Sequence, residues 1–312
     1  MAYEKPTEID PDSKPFQYYR TEVIRHWDPS EIDLDRDRET LMEADLVQAP
    51  GGLDALKDPL ARFGAGEQAV TEDLAPLATV FDDINDQMFI TTQLYEESKH
   101  AEFFHRYWTE VINPVEEELG HEITSPYDDK WFGSDYVELF DRNEAAMHRL
   151  LEDDSPEALA DAYCYYHMSI EGMLAESGYY GLQSIFGREK ISPVTPELPG
   201  LDEGLNYIRG DEGRHVGFGA LQLRQLTQDG PVDMADVEDT LEELLELVKG
   251  GLHNDDARET EGYDVGEEMD LDNIIDLSGY AEEQHDERLK QIRDASYEAG
   301  MKGSERPAAG SD

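Results

Sequence analysis

QLYEESKHAEFFHR, residues 93–106, is the stretch on which the reading of this chain turns. Glu97 and His100 stand three apart, so in a helix they share one face and both side chains can reach a single ion. That face runs on through Ile90, Gln93, Phe104, Tyr107 and Val111, a mostly apolar stripe that predicts burial. Glu-x-x-His alone is a weak signal, and this acidic chain carries it five times. Periodicity sorts the five. Glu102 and His105 lie about 140° further around the helix, on a face with Ser98, Thr109 and Glu116 that reads as solvated. Glu212 and His215 sit on a second apolar stripe, with Leu201, Leu205, Ile208, Gly219 and Leu223. Glu118/His121 flanks the helix-stop residue Gly120, and Glu282/His285 lies in a highly charged segment, so both read as surface.

Two lone glutamates pass the same test. Glu67 is flanked at helical spacing by Leu60, Phe63, Val70, Leu74 and Leu77, and Glu171 by Cys164, His167, Leu174, Ala175 and Gly178. A carboxylate in such a stripe must be neutralised, paired or metal-bound, because an isolated buried charge is very costly. Taken singly, each could be structural, paired with an arginine or a histidine. Taken together, the order Glu67, Glu97/His100, Glu171, Glu212/His215 matches the way a four-helix bundle holds a dinuclear carboxylate metal site. Four carboxylates and two imidazoles suit oxygen- and nitrogen-preferring ions such as Mn and Fe rather than thiolate-preferring ones. Asp211, just before Glu212, is placed to accept the free N–H of a ligand histidine; a surface acid is an equally good account of it.

These ligands and stripes imply an all-α fold: a ferritin-like four-helix bundle core with accessory helices. Core helices are predicted near 56–79, 83–119, 156–187 and 199–228, and accessory ones near 38–47, 134–152, 233–250 and 270–297. Pro76 is expected to kink the end of the first core helix. Residues 1–16 read as an N-terminal arm, 17–298 as a single dinuclear-metal domain, and 299–312 as a tail. One domain suffices because the six candidate ligands span 67 to 215 and must converge.

The net charge of −49, from 74 acidic against 25 basic residues, would make the chain repel itself at ordinary ionic strength. At molar salt the Debye length falls to about 3 Å and the repulsion is screened, so the composition suggests a halophilic, salt-filled cytoplasm. An acidic disordered protein is excluded by the 38% hydrophobic content and the recurring helical stripes. Nucleic acid is excluded as a partner, because phosphate binding needs basic patches. Cys164 is the only cysteine, so no internal disulfide can form, and it reads as a small buried hydrophobe. No stretch approaches the length of a membrane span, and MAYEKPTEID has no signal-peptide pattern, so the expectation is a cytoplasmic protein.

The segments GEQAVTEDLAPL (66–77), QLYEESKHAEFFHR (93–106), YYHMSIEGMLAESGYY (165–180) and DEGRHVGFG (211–219) jointly resemble one family. It is the ligand-binding oxidases related to the small subunit of ribonucleotide reductase, a ferritin-like branch with a mixed manganese/iron site. The resemblance implies that Glu67, Glu97 and His100 hold manganese and Glu171, Glu212 and His215 hold iron, with di-iron as the alternative pairing. It implies a homodimer, a long-chain fatty acid bound at the metals, and oxygen-dependent oxidation. It also implies an ether cross-link between Val70 and Tyr166. Val70 is three residues after Glu67 and faces the site by periodicity as well. Tyr166 precedes Glu171 by five, so α-helical spacing favours His167 on that face; a local π-bulge would favour Tyr166.

Two other functions share these ligands. A ribonucleotide reductase small subunit would deliver a metal-based oxidant to a separate large subunit. Phe104, four after His100, stands where such subunits carry a radical tyrosine, and some of them carry Phe there. A docking tail with a relay tyrosine is not evident after Tyr297. The third function is iron handling by a ferritin-like protein, which would need many iron atoms per chain. The GEQAVT and EGMLAESGYY blocks favour the oxidase.

Overall fold

Every element of the computed structural model that belongs to the core is a helix whose buried face is marked by an apolar stripe. The structure describes residues 7–48, 52–193, 195–228, 230–254 and 275–294, and these contain no β-strand. In chain order the helices are α1 (Lys14–Arg25), α2 (Asp35–Glu43), α3 (Asp54–Asp73), α4 (Leu77–Val80), α5 (Ile84–Tyr107) and α6 (Asn113–Leu119). They continue with α7 (Ser134–Arg149), α8 (Pro156–Tyr163), α9 (Glu176–Phe186), α10 (Pro199–Gln228), α11 (Met234–His253) and α12 (Leu277–Arg293). π-helical turns join α5 to α6 (Trp108–Ile112) and α8 to α9 (Cys164–Ala175).

The four-helix core is α3, α5, the Cys164–Ala175 segment with α9, and α10. α11 and α7 cover one side, α12 packs on α10 and the π segment, and α1 lies against α5 and α10. Caps fix the starts. Asp83 accepts from Asn85 N at α5, Ser155 from Ala158 N at α8, and Asp233 from Ala235 N at α11. α10 is capped from a distance, because Asp37 of α2 accepts from Gly200 N at 2.9 Å and Leu201 N at 2.8 Å. That buried carboxylate neutralises the helix's unpaired N–H groups. Gly204 lets α10 approach α5, since a Cβ there would stand 2.1 Å from a Phe103 ring carbon.

Several expectations need correction. The first core helix does not kink at Pro76 but ends at Asp73, and a separate turn of helix starts at Leu77. Proline disfavours helical geometry at the preceding residue and offers no N–H. α1 has no counterpart among the predicted helices. It begins at Lys14, within the segment read as an arm, and the residues before it are tied down: Thr7 Oγ1 accepts from Ile84 N at 2.7 Å and Asp10 N donates to Asn85 Oδ1 at 3.0 Å. Glu116, placed on a solvated face, is buried and pairs with Lys57 at 2.9 Å. The π turn at Trp108–Ile112 rotates the next helical residues relative to α-helical periodicity. His285, read as surface, is also buried, although Glu282 is exposed. The tail 299–312 and the acidic segment 255–274 lie outside the described residues. Among the described residues no helix is long and apolar enough to cross a membrane.

Candidate metal centre

All six candidate ligands converge between the four core helices, each 6% exposed or less. His100 Nδ1 lies 3.4 Å from Glu67 Oε2, 3.3 Å from Glu97 Oε2 and 3.4 Å from Glu212 Oε1. His215 Nδ1 lies 3.2 Å from Glu97 Oε1, 3.3 Å from Glu171 Oε1 and 3.3 Å from Glu212 Oε2. Two ligand sets result, each able to hold one ion: Glu67, Glu97, His100 and Glu212, and Glu97, Glu171 and His215. Glu97 belongs to both sets, and Glu212, of the first set, also turns its Oε2 to His215 Nδ1 at 3.3 Å. By contrast Glu102 and His105 are exposed, as their face predicted.

The electrostatics fit a cation pair. Burial, together with the charges of Glu171 and Glu97, pushes Glu212 well above the usual carboxylate range. Burial likewise raises Glu67, and takes Glu171 to about 7. Burial would raise Glu97 too, but His215 and His100 on either side hold it well below its ordinary value. The orphaned atoms are the decisive fit. His100 Nδ1, His215 Nδ1, Glu171 Oε2 and Glu212 Oε2 are buried with no hydrogen-bond partner. Buried polar atoms are normally satisfied, and these lone pairs face one another across the ligand sets. Two divalent ions would balance four carboxylates and occupy those lone pairs.

A second layer orients the imidazoles. His100 Nε2 meets Asp211 Oδ2 at 3.3 Å, as the sequence suggested, and His215 Nε2 meets Glu96 Oε2 at 3.0 Å, which it did not. The signal for Glu96 was present: Glu96-Glu97-Ser98-Lys99-His100 and Asp211-Glu212-Gly213-Arg214-His215 share the order acid, Glu, any, base, His. Each preceding acid serves the histidine of the other motif. The two bases close the layer, Lys99 at 3.3 Å from Asp211 and Arg214 at 2.5 Å from it, while Glu22 of α1 pairs with Arg214. Trp27 Nε1 also donates to Asp211 at 2.7 Å. Glu96→Gln keeps the shape but removes the acceptor charge behind His215. Metal affinity should fall about tenfold, read by competition with a chelator, with the helical circular dichroism unchanged.

Tyr166 reaches the centre because its helix is π in form. Residues five apart then line up, and the Tyr166 hydroxyl donates to Glu97 Oε1 at 2.9 Å. His167, favoured on α-helical spacing, instead meets Gln93 Oε1 at 3.3 Å through Nε2. Burial first and His215 second take its pKa down to about 3, so it is a neutral core histidine. Two further contacts escaped the sequence reading. Tyr179 donates to Glu67 Oε1 at 2.6 Å and Gln93 Nε2 to Glu171 Oε1 at 2.9 Å. Cys164 is buried and raised by that burial, in keeping with a small hydrophobe.

Glu67, Glu97, Glu171 and Glu212 open on one side to a cavity that Val70 and Tyr166 also line. Its other walls are mostly apolar, among them Phe63, Phe140, Ile170, Leu174 and Leu277. Four glutamates and two histidines buried together beside an apolar cavity in a ferritin-like bundle define the class: a scaffold able to hold a dinuclear metal site.

The similarities to solved structures narrow that class. The chain shares its fold with R2-like ligand-binding oxidases. One is a tyrosine-to-phenylalanine variant with an aerobically reconstituted Mn/Fe cofactor, 27% identical with a TM-score of 0.71, the match covering 91% of this chain and 95% of that one. Another is a glycine-to-leucine variant with an anaerobically reconstituted Mn/Fe cofactor, 28% identical with a TM-score of 0.72, covering 92% and 95%. A valine-to-leucine variant, also reconstituted anaerobically with Mn/Fe, is 28% identical with a TM-score of 0.71 and covers 91% and 95%. No family model matches the sequence.

Proposed function

We propose that this chain is a Mn/Fe carboxylate oxidase that uses dioxygen to take two electrons from an apolar, fatty-acid-like ligand, and that it joins Val70 to Tyr166 through an ether. The observation that carries the reading is the meeting of two orphaned imidazole nitrogens and four glutamates at the wall of an apolar cavity. Glu67, Glu97 and His100 would hold manganese, and Glu171, Glu212 and His215 iron, with Glu97 and Glu212 shared. When bound, the metal pair supplies the redox equivalents and the place at which dioxygen is reduced.

The chain's own residues account for the rest. Asp211 and Glu96 accept the Nε2 protons of His100 and His215, which leaves both Nδ1 lone pairs for the ions. Tyr179, Gln93 and Tyr166 each donate to a ligand carboxylate and fix its orientation. The apolar walls keep water from the reacting C–H bond and accept the ligand's chain. Ether formation removes hydrogen from a Val70 carbon and from the Tyr166 hydroxyl and forms one C–O bond, with dioxygen as the electron acceptor. We further place the protein in a salt-rich cytoplasm, as a homodimer.

Anomalous scattering at the Mn and Fe edges from one crystal of aerobically loaded protein is the direct test. One manganese and one iron on the six named residues is the expected result. Metal on other residues, or many iron atoms per chain in a hollow assembly, would overturn it in favour of iron handling. Nucleotide reduction that depends on this chain and a large subunit would replace the oxidase with the reductase.

A further inference from the structure

Among the described residues, Arg62 is the one charged base on the wall of the apolar cavity. It lies five residues before Glu67 on α3, about 7.5 Å along the helix axis and about 140° around it, and lines the same cavity, so it marks a level well away from the metal-site carboxylates. Its side chain is 10% exposed. One terminal nitrogen donates to Asp58 Oδ2 at 2.7 Å, and the other to the carbonyl oxygens of Gly251 and Leu252 at the end of α11. Its Nε–H is buried and has no partner. The other side-chain donors described on the wall are spent: Tyr166 on Glu97, Tyr179 on Glu67, and Tyr136 on the backbone oxygen of Arg62 at 2.6 Å.

A buried donor left unpaired carries the full cost of its lost hydration, and a ligand that accepts from it recovers that cost. The charge of Arg62 is already met by Asp58, whose other oxygen accepts from Asn254 at 2.8 Å. A second carboxylate at this level would therefore stand beside Asp58 with nothing left to neutralise it. A neutral acceptor has no such conflict. Resting on the cavity reading above, we propose that the ligand is an acyl chain bearing a neutral oxygen acceptor, keto or hydroxyl, at the depth of Arg62. Arg62 is thus a specificity-determining residue that separates oxygenated chains from plain ones.

Titration calorimetry of the metal-loaded full chain with dodecanoic acid, and with the same acid carrying a mid-chain keto group, tests this. The wild type should bind the keto acid about tenfold more tightly. Arg62→Lys keeps a cation opposite Asp58 but has no Nε–H. It should bind dodecanoic acid as the wild type does, which shows the cavity intact, and lose the preference. Equal affinities in the wild type, or a preference that survives Arg62→Lys, would overturn the proposal while leaving the metal centre standing. Binding of neither acid would overturn the cavity reading and this subsite with it, and metal content measured on the same samples reports the centre separately.

Discussion

Glu97→Ala should strip both metals from the protein, not one. Glu97 places Oε2 3.3 Å from His100 Nδ1 and Oε1 3.2 Å from His215 Nδ1, so it belongs to both ligand sets. Its removal takes away one negative charge and one oxygen at each position, and it orphans the Tyr166 hydroxyl. Metal per chain, measured by plasma mass spectrometry after desalting, should drop by more than half for manganese and iron alike. Glu102→Ala and His105→Ala, five residues further along the same helix and exposed, should leave both metals in place. Retention of full metal by Glu97→Ala, or loss in the Glu102 and His105 variants, would mean that the wrong face of α5 has been assigned to the centre.

The contrast between those pairs was legible in the sequence because burial and hydropathy agree along α5. Ile90, Gln93, Phe104, Tyr107 and Val111 all lie on the buried face with Glu97 and His100. The stripes around Glu67 and Glu212 worked for the same reason. The features that stayed hidden are polar and buried at once. α1 escaped because its buried residues are Pro15 and Glu22, and the latter owes its burial to Arg214, 192 residues away. No local pattern announces such a partner. Glu96 escaped because a second acid beside Glu97 looks like surface charge until its partner, His215 on α10, is in place. The two π turns shift the register, and α-helical arithmetic cannot anticipate that. One turned Glu116 inward, and the other exchanged His167 for Tyr166 at the centre.

That exchange bears on the second large effect, expected from Tyr166→Phe. Aerobically loaded wild-type protein should yield, after proteolysis, one peptide joining the Val70 and Tyr166 segments at two hydrogens below the sum of their masses. The variant should yield none of it, because the proposed ether takes its oxygen from the Tyr166 phenol. Metal binding should persist, since the phenol supplies only a hydrogen bond to Glu97 Oε1 and no ligand atom in either set. Losing that bond should cost about 1–2 kcal/mol, most of it from leaving a buried acceptor less satisfied. The fold should hold, because the aromatic ring that fills the space between the π segment and α5 is kept. Burial and the nearby Glu171, Glu97 and Glu212 charges keep the phenol protonated well above its ordinary range. The hydroxyl therefore enters the reaction as O–H, and its proton must leave as the C–O bond forms. Solvent deuterium should then slow cross-linking in the wild type if that proton moves in the slow step, with metal uptake unaffected. A cross-linked peptide persisting in Tyr166→Phe would assign the bond to another residue, and loss of metal in that variant would make Tyr166 part of the ligand scaffold instead of the oxidised partner.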